Sequence, residues 1–272
     1  MEDLADKIKI ITVIQARMSS TRLPNKVMLP LTGKPLLLRM YERVAASKLA
    51  GTIVIAATKD ESDEPIIRLC EENKLEYFRG DSDDVLDRHY QCALKYNPDV
   101  VVKIPSDCPL IDSRIIDKVL KYYIDNRKHF DFVSNLHPPS YPDGNDVEVM
   151  SFKVLKDAWQ NAGLKLEREH TTPYLWENPD KFRIGNVKWN SGKDYSMSYR
   201  FTIDYNEDYL FIKTVYDELY RQDSLFTLED ILDLLEWKPE IKKINEKYCG
   251  VNWYRNHLGE LKTVTLKDTK II

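Results

Sequence analysis

The chain has 272 residues, of which 43% are hydrophobic and 31% are charged. Its 40 lysines and arginines stand against 44 aspartates and glutamates, which leaves a formal net charge of −4. This composition excludes disordered, collagen-like and disulfide-rich secreted proteins. The acidic balance disfavours general binding of nucleic-acid polymers, which usually needs a basic face.

The first half of the chain alternates strand and helix patterns. Short, β-branched, apolar segments predict four strands, at residues 8–14, 52–57, 75–78 and 99–104. Apolar residues at helical spacing predict four helices, at about 35–47, 63–73, 83–96 and 111–126, the second capped by Ser62. This alternation predicts an α/β fold, a parallel sheet with helices on both faces.

The pattern changes after residue 130. Alternating residues predict antiparallel strands at 146–150, 182–189 and 195–203. Helices are predicted at about 151–161, 167–177, 206–221, 227–236 and 239–247. We interpret 1–248 as a single domain in which 130–200 is an insertion, followed by a tail at 249–272.

The cysteines and the lengths of the apolar segments predict the cellular compartment of the protein. The four cysteines, Cys70, Cys92, Cys108 and Cys249, form no CxxC pair and are expected to be free thiols. Residues 1–9 lack the apolar core of a signal peptide, and no apolar run reaches the roughly 18–20 residues of a membrane span. We therefore expect a cytoplasmic protein with no membrane partner.

A loop rich in positive charge follows the first predicted strand. Residues 15–34, QARMSSTRLPNKVMLPLTGK, contain Arg17, Arg22, Lys26 and Lys34 and no acidic residue. The loop begins at the carboxyl end of a strand, where open α/β sheets bind ligands. Its cations and hydroxyls suit a polyphosphate, although the Walker A spacing is absent. Charge alone leaves a solvated basic surface loop as the alternative.

Two aspartates follow other apolar strands. Asp107, in PSDCPLI, is expected to point into the same cleft as the basic loop, and Asp204 lies in RFTIDYNED before a helix. Alternatives remain open for both, because Asp107 also suits a turn or helix cap, and Asp204 or Asn206 suits the N-cap of the following helix.

The order of the loop residues resembles a known family. QARxxSTRLPxK followed by xGKPLL is similar to the signature loop of the cytidylyltransferase superfamily that activates acidic sugars. Its members include 3-deoxy-manno-octulosonate and acylneuraminate cytidylyltransferases, and the resemblance is greatest to the spore-coat polysaccharide biosynthesis branch. Asn25 stands where the family usually has Gly, and because Asn tolerates left-handed backbone angles, we expect the turn to be kept.

The resemblance implies a Rossmann-like, three-layer α/β/α nucleotide-diphosphate-sugar transferase fold, with a mostly parallel sheet and an antiparallel insertion. It implies that the catalytic residues are Arg17, Arg22, Lys26 and Asp107. The nucleotide-binding residues that it implies are Gln15, Ala16, Arg17, Ser20, Arg22, Lys26, Arg79, Asp84 and Ser106. Asp107 and Asp204 are expected to bind Mg²⁺, which prefers few carboxylates together with phosphate oxygens and waters.

The segments YPDGNDVEV and REH are also similar to that branch, and they imply acceptor contacts from Asp146, Glu148, Arg168 and His170. Two alternatives stay open. Asp84 is equally suited to the N-terminus of the helix at 83–96, and REH to a salt-bridge cluster at a helix start.

These assignments predict a Mg²⁺-dependent cytidylyltransferase. It would transfer CMP from CTP to an acidic sugar or small phosphorylated acid, with release of pyrophosphate, for surface polysaccharide biosynthesis. The resemblance also implies a homodimer with its contact in 130–200, where the aromatic residues are alternatively core of the same chain. The alternative functions are a glycosyltransferase, against which the single Asp of SDC argues, and a non-catalytic nucleotide-binding module.

Overall fold

The computed structural model describes residues 8–272. Most of residues 1–9, where no signal peptide is expected, lies outside the described residues. The strands are β1 (Ile10–Gln15), β2 (Pro30–Leu31), β3 (Lys34–Pro35), β4 (Thr52–Thr58), β5 (Glu76–Gly80), β6 (Val100–Pro105), β7 (Phe132–Ser134), β8 (Glu148–Ser151) and β9 (Ile184–Asn186).

Helices follow or separate these strands. They are α1 (Leu36–Ala45), α2 (Glu64–Glu72), α3 (Val85–Tyr96), α4 (Ser113–Asn126), α5 (Phe152–Asn161), α6 (Lys165–His170), α7 (Pro173–Trp176), α8 (Asn206–Leu219), α9 (Leu228–Trp237) and α10 (Pro239–Lys243). The four strands and four helices predicted for the first half of the chain are confirmed, with ends that differ by a few residues.

One sheet organises the molecule. Its strands lie in the order β5-β4-β1-β6-β8-β7-β9. The first four are parallel to one another, β8 is antiparallel to both β6 and β7, and β9 is parallel to β7. The predicted mostly parallel sheet with an antiparallel portion is confirmed. β2 and β3 form a separate small hairpin within the basic loop.

Helices cover both faces of the sheet. Because successive side chains of a strand point to opposite faces, Ile10 and Ile14 of β1 pack in one core with α1, α4, α8 and α9. Ile11 and Val13 pack in a second core with α3, α5 and α7. The chain therefore has the three-layer α/β/α architecture that the sequence predicts.

The structure corrects the elements predicted after residue 130. Residues 195–203 form no strand, and β9 is shorter than predicted and parallel to its neighbour. The helix predicted at 167–177 is divided into α6 and α7, because Thr171 has a φ of 74°, which lies outside the right-handed helical region.

Ser62 lies inside a 3₁₀ turn, Glu61–Asp63, and does not cap α2. All four cysteines are buried and free, as predicted. Within residues 8–272 no helix has both the length and the apolar character that crossing a membrane requires.

Candidate active site

The site lies where the order of the strands reverses. β4 and β5 extend from one side of β1, and β6 lies on its other side. Such a switch point opens a crevice at the carboxyl ends of the strands. Gln15 at the end of β1 is paired with Pro105 at the end of β6. The basic loop and the segment that carries Asp107 therefore start side by side.

A cavity of about 420 Å³ occupies this crevice. It brings together most of the predicted site residues, namely Gln15, Ala16, Arg17, Ser20, Arg22, Lys26, Ser106, Asp107, Asp146, Glu148, His170 and Asp204. Residues predicted for the phosphates, the metal ion and the acceptor thus share one cavity, although they come from segments up to 189 positions apart, Gln15 to Asp204.

Three predicted residues do not line this cavity. Arg79 forms an ion pair with Glu64 at 2.5 Å and donates to three backbone carbonyls. Arg168 forms an ion pair with Asp84 at 2.5 Å, and Asp84 also accepts from the N–H of Asp87 as the N-cap of α3. The geometry does not support ligand contacts for these three, and it matches the helix-end and salt-bridge alternatives for Asp84 and Arg168.

A buried carboxylate holds the basic loop in place. Asp63 is fully buried and accepts hydrogen bonds from the N–H of Met18 at 2.7 Å, and from the N–H and hydroxyl of Thr58 at 2.8 and 2.7 Å. Further along, Asn25 has a φ of 59° and a ψ of 19°. The left-handed turn that the family usually builds with Gly is therefore kept, as expected.

Lys26 connects the basic loop to both aspartates. Its Nζ lies 3.0 Å from Oδ1 of Asp204 and 3.5 Å from Oδ2 of Asp107, and it donates to the carbonyl of Ile203 at 2.7 Å. Nη2 of Arg22 reaches the same Oδ1 of Asp204 at 2.7 Å. The loop is therefore an ordered wall of the cavity and faces the aspartates.

Arg200, which was not predicted as a site residue, is buried at the base of the aspartates. Its guanidinium contacts Asp143 at 3.2 Å, Asp204 at 2.9 Å and Asp208 at 3.0 Å. Burial by itself raises the pKa of Asp204, but the charges of Lys26, Arg22 and Arg200 hold that pKa well below its ordinary value. The signal for Arg200 in the sequence was a single arginine at the start of the apolar segment before Asp204.

Negative charge accumulates on one side of the cavity. Burial, together with the carboxylates of Asp107 and Glu148, raises the pKa of Asp146 to about 7. Burial also raises the pKa of Asp143 well above its ordinary value, although Arg200 opposes this shift. Near pH 7 the carboxyls of Asp146 and Asp143 are therefore partly protonated, and each can donate as well as accept a hydrogen bond.

Two residues predicted to bind the acceptor are less available than expected. Glu148 is buried, and its carboxylate already accepts from Lys103 and from the hydroxyl of Thr172. The ring of His170 stacks on Trp253 with centroids 3.7 Å apart. Burial and the charge of Lys103 lower the pKa of His170 to about 3, so it is neutral near pH 7 and supplies no positive charge.

A second residue that was not predicted is Arg88, the last residue of the segment DVLDR at 84–88. It lines the cavity and is buried, and among residues 8–272 its guanidinium has no carboxylate within ion-pair distance. Burial and the nearby Arg17 lower its pKa to about 10. A Cβ at Gly80 would lie 2.6 Å from Cγ of Arg88, so Gly80 makes room for this side chain. Arg17 and Arg88 together are suited to an anion.

The carboxylates fit a Mg²⁺ ion that also binds phosphate oxygens. Among residues 8–272 no three His, Cys, Asp or Glu side chains are close enough to hold a metal ion without other ligands. Mg²⁺ is usually bound by one or two carboxylates, with phosphates and waters as the remaining ligands. Asp107 has 31% of its side chain exposed and only the 3.5 Å contact to Lys26 as an ion pair, so it is available as a ligand.

Comparisons with known proteins agree with this geometry. The sequence model of a family described as cytidylyltransferase matches residues 11–241. An uncharacterized protein of Methanocaldococcus jannaschii is 38% identical over 242 residues, which cover 88% of this chain and 95% of that protein. The spore coat polysaccharide biosynthesis protein SpsF of Bacillus subtilis is 29% identical over 236 residues, which cover 85% of this chain and 95% of SpsF.

A solved structure is also similar. A cytidylyltransferase from Leptospira borgpetersenii superposes with a TM-score of 0.81 at 33% identity, and the match covers 86% of this chain and 97% of that one. The family match begins in β1, includes the basic loop and both aspartates, and ends in α10. On these grounds the chain belongs to the cytidylyltransferase family.

Proposed function

We propose that the protein transfers CMP from CTP to a small acidic acceptor and releases pyrophosphate. One observation carries the proposal. Lys26 and Arg22, on the loop after β1, face Asp107 and Asp204 across a single cavity at the switch point of the sheet. Side chains suited to bind a triphosphate therefore lie next to carboxylates suited to bind its Mg²⁺ counter-ion.

The reaction is an in-line attack of an acceptor oxygen on the α-phosphorus. A bond forms between that oxygen and the α-phosphorus, the bond to the β-phosphate oxygen breaks, and pyrophosphate leaves with the bonding electrons. Little covalent chemistry is required of the protein, so positioning and electrostatics dominate. Arg17, Arg22 and Lys26 bind the β- and γ-phosphates, and the buried Arg88 adds a fourth charge on the side of Arg17.

Asp107 and Asp204 would hold Mg²⁺, which when bound neutralises phosphate charge and lowers the pKa of an attacking hydroxyl. Lys26 and Arg22 contact Asp204 in the free protein. On binding of CTP they exchange these carboxylate oxygens for phosphate oxygens, because phosphates offer equivalent charge-assisted hydrogen bonds.

The acceptor is an acidic sugar or a small phosphorylated acid. A hydroxyl nucleophile gives a CMP-linked product, and a phosphate nucleophile gives a CDP-linked product. Asp146 lines the cavity beside Glu148, and one of its oxygens accepts a backbone N–H at 3.3 Å, which leaves the other for an acceptor hydroxyl. The similarity to SpsF supports a role in surface polysaccharide biosynthesis, in the cytoplasm where CTP is present.

The direct test is an assay of pyrophosphate release. The protein would be incubated with Mg²⁺, each of the four nucleoside triphosphates and a panel of sugar acids and phosphorylated acids. We expect release with CTP and at least one acceptor, and ³¹P NMR of the product distinguishes a CMP from a CDP linkage. Release of a nucleoside diphosphate from a nucleotide sugar, or binding of CTP without turnover of any acceptor, would contradict the proposal.

Two substitutions test the residues. We expect Asp107→Ala and Arg22→Ala each to lower the rate of pyrophosphate release by on the order of 10²–10³-fold, because each removes an oriented charge. Lys34→Ala is the matched control, since Lys34 belongs to the same loop but pairs with Glu42 at the surface. Near-normal turnover in either site variant, with an unchanged melting temperature, would refute the assignment.

A further inference from the structure

The C-terminal tail forms one wall of the cavity. Residues 250–257 all line it, and they include the 3₁₀ turn Trp253–Asn256. The family match ends at residue 241. The match to the Leptospira structure covers 97% of that chain but only 86% of this one. This wall therefore lies outside the part of the chain that the family match describes.

The wall is fixed at several points. The carbonyl of Val251 accepts from Arg200 at 2.6 Å, and the side-chain amide of Asn252 donates to the carbonyl of Asp268 at 2.9 Å. Further on, Leu261 and Val264 are buried in the core that contains α3 and α5. The tail is thus packed against the domain, and its side chains have defined positions in the cavity.

The tail contacts the side of the cavity predicted to bind the acceptor. Trp253 stacks on His170. The ring of Tyr254 lies edge-on to Trp176 at 6.1 Å. Burial raises the pKa of Tyr254 well above its ordinary value, and the nearby carboxylates of Glu148 and Asp146 raise it further. The tail therefore faces the carboxylates of the acceptor side.

An acidic acceptor needs a positive charge on this side, and the other candidate cations are already engaged or neutral. Lys103 pairs with Glu148, Arg168 pairs with Asp84, and His170 is neutral near pH 7. Arg200 already contacts three carboxylates. The basic loop and Arg88 supply their cations to the phosphates of CTP in the proposed function.

Arg255 of the tail is the arginine of the cavity lining that remains once these cations are assigned. Nη2 donates to the hydroxyl of Tyr205 at 3.1 Å, whereas Nη1 is buried and has no hydrogen-bond partner. In the part of the chain that the structure describes, Arg255 forms no ion pair with a carboxylate. A buried, unpartnered guanidinium nitrogen is costly, and an anion in the cavity would satisfy it.

We propose that Arg255 binds the carboxylate or phosphate of the acceptor, and that residues 250–257 form a wall that selects the acceptor. The inference rests on the proposed function. The position of Arg255 beyond the family match favours the acceptor over CTP, because the nucleotide is what a cytidylyltransferase family shares. An arginine binds either anion through two parallel hydrogen bonds.

Binding without turnover tests the inference. The protein would be saturated with Mg²⁺ and α,β-methylene-CTP and titrated calorimetrically with 3-deoxy-manno-octulosonate, a carboxylate probe, and with glycerol 3-phosphate, a phosphate probe. We expect at least one probe to bind, which identifies the preferred anion. Arg255→Gln should weaken that binding by about tenfold or more, since a charge-assisted contact is lost. Arg255→Lys should retain part of the affinity.

Affinity for α,β-methylene-CTP should change by less than about twofold in Arg255→Gln, because that substitution removes no contact of the nucleotide. Lys267→Gln is the matched control, as Lys267 is an exposed residue of the same tail. Unchanged binding of the probe in Arg255→Gln, a loss of nucleotide affinity in that variant, or binding of neither probe by the unsubstituted protein would overturn the inference. Failure of the pyrophosphate assay with these binding results intact would refute the proposed reaction alone.

Discussion

Lys26 gives the basic loop a defined position in the free protein. Burial by itself lowers the pKa of Lys26, but the charges of Asp107 and Asp204 hold it above its ordinary value. The ammonium is therefore charged at neutral pH and compensates two aspartates that would otherwise repel each other. The same contacts orient the loop before a nucleotide arrives, which reduces the entropy lost on binding.

Asp63 is the residue on which this loop depends structurally. We expect Asp63→Ala to lower the free energy of unfolding by roughly 2–4 kcal/mol, because it leaves the buried N–H groups of Met18 and Thr58 without acceptors. Urea denaturation measures the change. Asp60→Ala, at a neighbouring exposed position, should alter stability by less than about 0.5 kcal/mol. Equal stability of the two variants would show that Asp63 does not hold the loop.

Close approach of two segments positions the carboxylates of the acceptor side. Gly144 has a φ of 106°, and a Cβ there would lie 2.6 Å from the backbone carbon of Phe201 and 2.7 Å from the nitrogen of Thr202. The absence of a side chain at Gly144 therefore allows Asp143 and Asp146 to lie beside the segment that carries Arg200.

We expect Gly144→Ala to lower pyrophosphate release by about tenfold or more and to reduce the melting temperature, because the clash involves backbone atoms and the φ is strained for alanine. Gly163→Ala is the control, since a Cβ at Gly163 meets no atom within 4 Å and its φ is not left-handed. Normal activity of Gly144→Ala would contradict a role for this close approach.

Three histidines make stability depend on pH: His89 is buried in the core, and His137 and His170 are half-buried at the cavity. In the unfolded chain they titrate near pH 6.5, whereas burial lowers the pKa of His89 to about 3, of His137 to about 4 and of His170 to about 3. From pH 6.5 down to about 4 the unfolded state binds protons that the folded state does not, so stability falls with pH. Asp146 opposes this trend between about pH 4 and 7, because its pKa is raised to about 7.

We expect the free energy of unfolding to be lower at pH 5 than at pH 7, because three histidines outweigh Asp146 and Asp143, whose pKa values are both raised. Denaturant titrations at the two pH values measure it. His89→Gln should reduce the difference, and His129→Gln, at an exposed position, should leave it unchanged. Equal stability at both pH values would mean that the histidines are protonated in the folded state.

The exposure of apolar residues in 130–200 determines which of them are available for contact with a second copy of the chain. The aromatic residues of 130–200 that were considered for a dimer contact pack inside their own chain and are buried or half-buried: Phe132, Tyr141, Trp159, Tyr174, Trp176, Trp189, Tyr195 and Tyr199. Exposed apolar residues of the same segment are Leu164, with 49% of its surface accessible, and Met197, with 38%.

We predict a homodimer in solution. Multi-angle light scattering should give a mass near twice the 31.9 kDa of the chain. If the segment 130–200 forms the contact, Leu164→Arg should shift the mass toward the monomer, because a charge at an apolar contact is not compensated. Trp237→Arg, at an exposed position outside the segment, is the control. A monomeric mass for the unsubstituted protein would refute the dimer.

Local pattern was sufficient to predict the first half of the fold, whereas the roles of the loop and its two aspartates were implied by the resemblance to a known family. Strand and helix periodicities depend on neighbouring residues. The loop and Asp107 follow β1 and β6, whose carboxyl ends meet at one edge of a parallel sheet, whereas Asp204 follows no strand. Residues 195–203 were predicted wrongly, because their alternating pattern reflects Arg200 and Tyr199 packing inside the fold and not the pairing of a strand.

Partners that lie far apart along the chain were decided only by tertiary structure. Arg168 meets Asp84, 84 positions away, and is thereby removed from the cavity. The tail reaches the cavity because Arg200 binds the carbonyl of Val251, 51 positions away. The charge of a side chain is fixed by its residue type, but which charges are neutralised and which remain free for a ligand depends on where the folded chain crosses itself. For this reason the basic loop is recognisable in the sequence, whereas the roles of Arg88, Arg200 and Arg255 are recognised only in the folded protein.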